Sequence, residues 1–295
     1  MKLEYKNSKY KILKDVLKLE FKISDRLITK LKRLDCLYIN NLSAKINDNI
    51  NLDDIITIDL DFEETENENI IPKEIKLNIL YEDDSILVVN KPANTPVHPS
   101  ILHFEDTLSN GVKYYFNKIG LKKKIRPVNR LDKDTTGIVI FAKNEYIQEI
   151  LINEMNTGNF KKEYLAILVG NLEKQNGTIN ANIARKENSI IEREINFNGE
   201  IAITHYELIK NFEYDNQKLA FVKFILETGR THQIRVHSKY IGHPILGDTL
   251  YGKSSNLVST QVLHAYKVTF LHPITKKQLV IEAPWNLNSN LKSAI

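Results

Sequence analysis

A turn between two extended segments carries a carboxylate that could take part in a reaction. Asp132 follows a stretch that Pro127 keeps extended, and it precedes a β-branched run that predicts a strand. On a loop held by a rigid sheet, a carboxylate can act as a nucleophile or a general base, and Arg130 and Lys133 place positive charge beside it. Taken alone, these residues favour a plainer interpretation, in which Asp132 and Thr135 only close the turn.

Two other segments contain side chains that could complement a carboxylate. A predicted strand ends at Gly229, and Arg230 then lies at the mouth of a predicted helix, where a guanidinium can pair with a carboxylate in bidentate geometry. Tyr164 lies in a predicted strand flanked by lysines. By itself, that position is more typical of a core or edge tyrosine than of one that stacks on a base.

Sequence patterns for metals and nucleotide cofactors do not occur in the chain. Its one cysteine, Cys36, excludes an intramolecular disulfide and a multi-cysteine zinc site. Neither the His-Glu-x-x-His arrangement nor a glycine-rich phosphate loop is found. We therefore expect no cofactor and no metal.

The charge of the chain is unevenly distributed. The 295 residues carry a formal net charge of +4, but residues 1–50 contribute +6, residues 51–84 contribute −10 and residues 85–295 contribute +8. This pattern favours two basic bodies joined by an acidic connector, and basic bodies often bind nucleic acid. Chance variation among solvated surfaces is the alternative.

An amphipathic helix is predicted near the N-terminus. Ser24 is a suitable N-cap, an apolar face follows, and Lys30 and Arg33 belong to the opposite, basic face. Such a face could dock RNA or could simply be solvated. The acidic stretch that follows is broken by Pro72 and predicts a linker.

The remaining pattern predicts many strands and few helices. Helices are expected over residues 106–119, 145–155 and 232–241, without regular βαβ alternation. This favours an α+β fold with a mixed or antiparallel sheet. Apolar runs are too short to span a bilayer and no signal-peptide core is present, so a reduced, cytoplasmic, soluble protein is expected, with no membrane partner.

Together, the three candidate segments resemble the motifs of one family, the RluA-type RNA pseudouridine synthases. Residues 129–137 are similar to its aspartate signature, residues 161–170 to its tyrosine motif and residues 229–237 to its arginine motif. Asn129 and Thr136 replace the usual His and Ser, which preserves polarity.

The resemblance extends over residues 80–285, and residues 20–60 are similar to a small RNA-binding module of the S-four type. It implies a module over residues 1–65, an acidic linker over 66–76 and a catalytic domain over 77–295, with a mixed, mostly antiparallel sheet flanked by helices.

This resemblance also implies roles for particular residues. Asp132 would be the essential carboxylate, attacking ribose C1′ or removing the C2′ proton. Arg230 would pair with Asp132, Tyr164 would stack on the uracil, and Arg130 would occupy the space that the flipped base leaves. Further basic residues would hold RNA phosphates or form only a solvated face; besides Lys30 and Arg33 of the module they are Lys122, Lys123, Lys124 and Arg126.

RNA is the implied partner of a monomeric enzyme, with large-subunit ribosomal RNA the first candidate and tRNA the second. A catalytically silent RNA-binding protein is the alternative from another class. The related synthase branch that acts on small-subunit ribosomal RNA is a third interpretation. The retained Asp132, Tyr164 and Arg230 favour an enzyme over a silent protein.

Overall fold

The computed structural model describes residues 1–64, 69–287 and 289–295. In the described chain the strands are β1 (Lys2–Lys6), β2 (Leu37–Ile39), β3 (Leu42–Ser43), β4 (Ile55–Asp59), β5 (Ile79–Glu82), β6 (Ile86–Lys91), β7 (Arg126–Pro127), β8 (Thr136–Ala142), β9 (Lys161–Val169), β10 (Asn176–Asn180), β11 (Ile183–Arg185), β12 (Arg193–Ile195), β13 (Ile203–Tyr214), β14 (Gln217–Leu226), β15 (Leu263–Leu271) and β16 (Gln278–Glu282). The helices are α1 (Leu13–Asp15, continued by a π-helical turn over Val16–Glu20), α2 (Asp25–Arg33), α3 (Leu108–Lys118), α4 (Glu145–Asn156), α5 (Gln233–Tyr240) and α6 (Ser289–Ala294).

The N-terminal region forms its own antiparallel sheet in the order β1-β4-β2-β3. Helix α2 packs beside it and begins as predicted, because the Ser24 side chain accepts a hydrogen bond from the Leu27 N–H at 3.3 Å. Its apolar face is buried at Leu27, Ile28 and Leu31. The sequence prediction missed β1, whose charged residues alternate with apolar ones as expected for an edge strand.

A ten-stranded sheet forms the rest of the body in the order β10-β13-β14-β9-β15-β8-β6-β5, with β16 paired to β15 and β7 to β8. Every pairing in it is antiparallel except that of β15 with β8. The α+β fold with a mixed, mostly antiparallel sheet is therefore confirmed. The parallel contact matters for the site, because it joins the strand after Asp132 to the centre of the sheet.

Strand β8 supplies core residues to both faces of this sheet. Val139 and Phe141 pack in a cluster with residues of α3, whereas Ile138 and Ile140 belong to a cluster that contains residues of α4. The second cluster continues without a break into the apolar residues of α2 and of the N-terminal sheet. The N-terminal unit is thus packed on the same side of the large sheet as α4.

The acidic stretch that predicts a linker is packed against the body where it is described. Glu64 and Ile70 are buried, and the Ile71 carbonyl accepts a hydrogen bond from Asn110 of α3 at 2.7 Å. Residues 66–68 of the predicted linker lie outside the described residues. The stretch is therefore not only a solvated spacer, because one of its acidic residues, Glu64, pairs with a buried arginine, Arg126. The division of the chain into a module, a linker and a catalytic domain at 1–65, 66–76 and 77–295 stays a prediction.

Candidate functional site

The loop that carries Asp132 joins β7 to β8 and is fixed at its C-terminal end. The Thr135 N–H donates to the Asp132 carbonyl at 3.2 Å, and the buried Thr135 hydroxyl accepts from Gln261 at 2.7 Å. Gly137 has φ +111°, and a Cβ there would lie 2.3 Å from the Ala265 carbonyl oxygen. Only glycine therefore allows β8 and β15 to approach this closely, which anchors the loop to the sheet.

The buried side chain of Lys91 also holds this loop in place. Its ammonium donates to the carbonyls of Pro92, Thr95 and Lys133 at 2.9, 2.8 and 2.8 Å. Burial lowers the pKa of Lys91 to about 7, although the negative charges of Asp134 and Asp132 act to raise it. Lys91 is not among the site residues predicted from the sequence. A lysine that ends an apolar strand directly before a proline was the signal that could have found it.

Arg235, and not Arg230, pairs with Asp132. The Arg235 Nη1 donates to Asp132 Oδ2 at 3.1 Å. Its Nε and Nη2 bind Asp248 Oδ2 and Oδ1 at 2.7 and 2.8 Å, so one guanidinium joins two carboxylates. Arg235 is 8% exposed, and its Cζ lies 5.0 Å from the centroid of the Tyr251 ring. This arrangement aims Asp132 through a rigid, fork-shaped partner.

The predicted pairing of Arg230 with Asp132 is wrong. Helix α5 begins at Gln233, so Arg230 precedes the helix instead of lying on its inner face. Its Nη1 lies 2.6 Å from Glu200 Oε2 and its Nε donates to the Ile201 carbonyl at 2.9 Å. Five residues further on, Arg235 is already inside α5 and points to the core. A guanidinium flanked by apolar Ile234 and Val236 was the sequence signal for the buried partner.

Tyr164 lies on β9 between β14 and β15, opposite Phe224 and Ala265. It is 8% exposed and packs in the hydrophobic cluster that Leu131 of the Asp132 loop also contacts. Burial raises the pKa of Tyr164, and the negative charge of Asp132 raises it further. The structure thus brings the predicted phenol and the predicted carboxylate together, and the phenol stays protonated at neutral pH.

His232 is a third side chain directed at Asp132. Its Nε2 lies 3.8 Å from Asp132 Oδ1, and its Nδ1 lies 2.8 Å from the Tyr251 hydroxyl. That hydroxyl accepts from the Arg193 N–H at 2.8 Å, so its own proton is best donated to Nδ1, which leaves the His232 proton on Nε2. His232 also has a left-handed backbone, φ 59°.

Burial lowers the pKa of His232, with the charge of Asp132 acting in the opposite direction. A neutral imidazole with its proton on Nε2 is therefore the form that faces the carboxylate. Asp132 thus has two N–H groups near it, one from a guanidinium and one from an imidazole.

Three of the residues predicted to bind RNA are internal partners instead. Arg126 is buried, and its Nη2 lies 2.9 Å from Glu64 Oε1. Lys30 reaches the same oxygen at 2.7 Å, and Lys123 is buried with its ammonium 3.1 Å from the Leu60 carbonyl. These predictions are wrong because the acidic segment, distant in sequence, folds back to neutralise the basic run.

The other predicted RNA-binding residues remain at the surface. Arg130 and Arg33 are exposed, and Lys124 is half-buried. Lys122 is exposed and lies 2.9 Å from Glu63 Oε1. Of these, Arg130 is the one that adjoins Asp132 in the chain. RNA binding by these four side chains stays a prediction.

Two features are absent from the described parts of the chain. No group of three or more His, Cys, Asp or Glu side chains there could hold a metal ion. Within the same residues, no helix is both long and apolar enough to cross a membrane.

Comparisons with known proteins agree on one family. A family model described as RNA pseudouridylate synthase matches residues 85–240. The chain is 38% identical over 270 residues to a Bacillus subtilis protein described as the uncharacterized RNA pseudouridine synthase YhcT, covering 92% of this chain and 88% of that protein.

It is also 36% identical over 234 residues to ribosomal large subunit pseudouridine synthase D of Blochmanniella floridana, covering 74% and 72% of the two chains. Among solved structures, human RNA pseudouridylate synthase domain containing 1 has a TM-score of 0.63 at 25% identity, covering 75% of this chain and 88% of that one.

Proposed function

This chain belongs to the RNA pseudouridylate synthase family, and from that premise we propose that it isomerises uridine in large-subunit ribosomal RNA, with Asp132 as the essential carboxylate. The observation that carries the assignment of the site is the pairing of Asp132 with buried Arg235 beside the buried phenol of Tyr164. A carboxylate, its rigid cationic partner and an aromatic face are the groups that this reaction needs.

The reaction breaks the bond between uracil N1 and ribose C1′, turns the base and joins C5 to C1′. The proton leaves C5 and N1 gains one, so atoms and electrons balance without an oxidant. Asp132 acts at the ribose, as the nucleophile at C1′ or as the base at C2′, and both routes require the ionised carboxylate. Arg235 keeps that carboxylate aimed, because Asp248 holds its other guanidinium nitrogens.

Tyr164 stacks on the uracil in this proposal. Its raised pKa keeps the phenol neutral, which suits a group that packs against a base and hydrogen-bonds to it. Arg130 fills the space that the uridine leaves in the RNA, because it is exposed and lies two residues before Asp132. Extruding the base costs about a few kcal/mol, which contacts of this kind offset.

Large-subunit ribosomal RNA is the favoured substrate because a relative at 36% identity carries that substrate in its name. tRNA is the second candidate. We further propose that the protein is a cytoplasmic monomer and that the N-terminal unit is an RNA-binding module of the S-four type. The exposed guanidinium of Arg26, in the first turn of α2, supports that role.

Pseudouridine mapping tests the proposal most directly. Total RNA from cells with and without the gene should differ at one or a few uridines of large-subunit ribosomal RNA, and the purified protein should restore them on that RNA. Loss of the modification in tRNA alone would move the substrate to tRNA. Unchanged maps, together with RNA binding by the purified protein, would favour the catalytically silent alternative.

A further inference from the structure

A polar groove of about 380 Å³ separates helix α2 from the chain that leads into the Asp132 loop. Arg26 forms one wall, Lys124 and Arg130 lie on the other, and Gln148 of α4 also lines it. The end at Arg130 is two residues from Asp132, so the groove connects the N-terminal unit with the candidate site. None of the described residues that line it is acidic.

The charge of the groove is positive. Arg26 is 86% exposed at the side chain, and Arg130 is exposed as well. Arg26 has an ion-pair partner, Glu145, at 3.3 Å, but Glu145 also lies 3.3 Å from Lys30, so it does not neutralise both cations. Because Arg26 is exposed and Glu145 also pairs with Lys30, the Arg26 guanidinium remains available to a phosphate.

A single buried carboxylate holds the two walls of the groove together. Glu64 Oε1 accepts from Lys30 of α2 at 2.7 Å and from Arg126 of β7 at 2.9 Å. Its Oε2 accepts from the Lys124 N–H at 3.0 Å. Because Glu64 binds the helix and the opposing strand at once, the groove has a fixed width before any ligand arrives.

We propose that this groove binds the phosphate backbone of the RNA that flanks the target uridine. The inference rests on the proposed function and adds to it the path of the substrate. Phosphates enter between Arg26 and Lys124 and run to Arg130, where the uridine leaves the stack and reaches Asp132. On this account the N-terminal unit contacts RNA through the Arg26 edge of α2, whereas Lys30 of the same helix serves only to hold the walls.

Fluorescence anisotropy with a labelled RNA hairpin that has a uridine in its loop tests the groove. The variants are Arg26→Ala, Lys124→Ala and the double variant, in the full chain. Each single change should weaken binding roughly tenfold for hairpins of different sequence, and should lower the slope of log affinity against log salt by about one, as expected for a lost phosphate contact.

Lys32→Ala is the matched control, because Lys32 is exposed on the same helix but does not line the groove. It removes the same charge and should leave binding and the salt slope within about twofold of the wild type. Equal weakening by Lys32→Ala would overturn the proposal in favour of a diffuse charge effect. Wild-type affinity in the double variant would overturn it as well.

These outcomes are separate from those of the proposed function. Binding is measured without turnover, so a protein that binds RNA through the groove and forms no pseudouridine would contradict only the proposed reaction. A protein that forms pseudouridine while the double variant binds normally would contradict only the groove. The midpoints of thermal unfolding should be similar for all variants, because Arg26 is exposed and Lys124 contacts Glu64 through its backbone.

Discussion

The Arg235 guanidinium lies 3.1 Å from Asp132 although 103 residues separate the two in the chain. The same guanidinium is fixed by Asp248, whose side chain is fully buried. Asp132 is therefore positioned by a partner that cannot itself rotate away. The arrangement gives the arginine two functions, since it aims the candidate catalytic group and satisfies a buried charge.

Replacing Arg235 should reduce turnover far more than replacing Arg230. Arg235→Lys keeps a positive charge near Asp248 but loses the fork that holds both carboxylates, so we expect kcat to fall about a hundredfold, corresponding to roughly 3 kcal/mol. Arg230→Ala breaks contacts with Glu200 and with the Ile201 carbonyl, neither of which involves Asp132, and should lower kcat by less than about threefold. Tritium release from C5-labelled uridine RNA measures both. The reverse order of effects would contradict the geometry.

Asp132→Asn should abolish the reaction while leaving the fold intact. The amide cannot attack C1′ or take a proton, so tritium release should fall at least about a thousandfold. Asp134→Asn is the matched control on the same loop, because Asp134 carries the same charge and the hydrogen bonds of Arg235 go to Asp132 and Asp248. Comparable loss in the two variants would mean that loop charge, and not the carboxylate at position 132, is what the reaction needs.

Local signals predicted many of the elements, whereas the pairings within the site depend on long-range contacts. The sequence predicts Ser24 as a helix N-cap and β8 as a strand because each is encoded by a few adjacent residues, and the structure has both. Arg230 is the predicted partner of Asp132, and the apolar neighbours of Arg235 do not decide by themselves which of the two arginines faces the carboxylate. That choice is made by the start of α5 at Gln233, together with a carboxylate, Asp248, that lies beyond the helix.

In the basic run before Asp132, the role of each charged side chain also depends on long-range contacts. A count of charges cannot tell a phosphate-binding arginine from one that pairs inside the molecule. Arg126 is internal because the fold brings Glu64 to it across 62 residues, whereas Arg130, only four residues later, stays exposed. The difference arises from sheet topology, which places one side chain under α2 and the other at the rim of the site.

His232 should affect turnover through its contact with Asp132 and stability through its backbone. Asn tolerates the left-handed region better than Ala, so His232→Asn should unfold at nearly the wild-type midpoint, whereas His232→Ala should be destabilised by about 1 kcal/mol. Both lose the N–H directed at Asp132, and we expect kcat to fall about tenfold in each, the effect of roughly 1.4 kcal/mol. Full turnover in the Asn variant would leave His232 with only a structural role.

Acid should weaken the protein through Glu64. Burial raises the pKa of this carboxyl, but hydrogen bonds from Arg126 and Lys30 outweigh it and lower the pKa from 4.5 to about 2. A folded-state pKa below the unfolded value contributes stability that is present above about 4.5 and is lost as the pH falls towards 2. The free energy of unfolding of the wild type should therefore drop by about 3 kcal/mol more than that of Glu64→Gln across this range. Urea denaturation at several pH values measures this difference in the free energy of unfolding.

At neutral pH the Gln variant should be the less stable protein, by about 3 kcal/mol or more, because Arg126 is left buried without its carboxylate. Parallel pH profiles for the two proteins would mean that Glu64 does not hold α2 and β7 together.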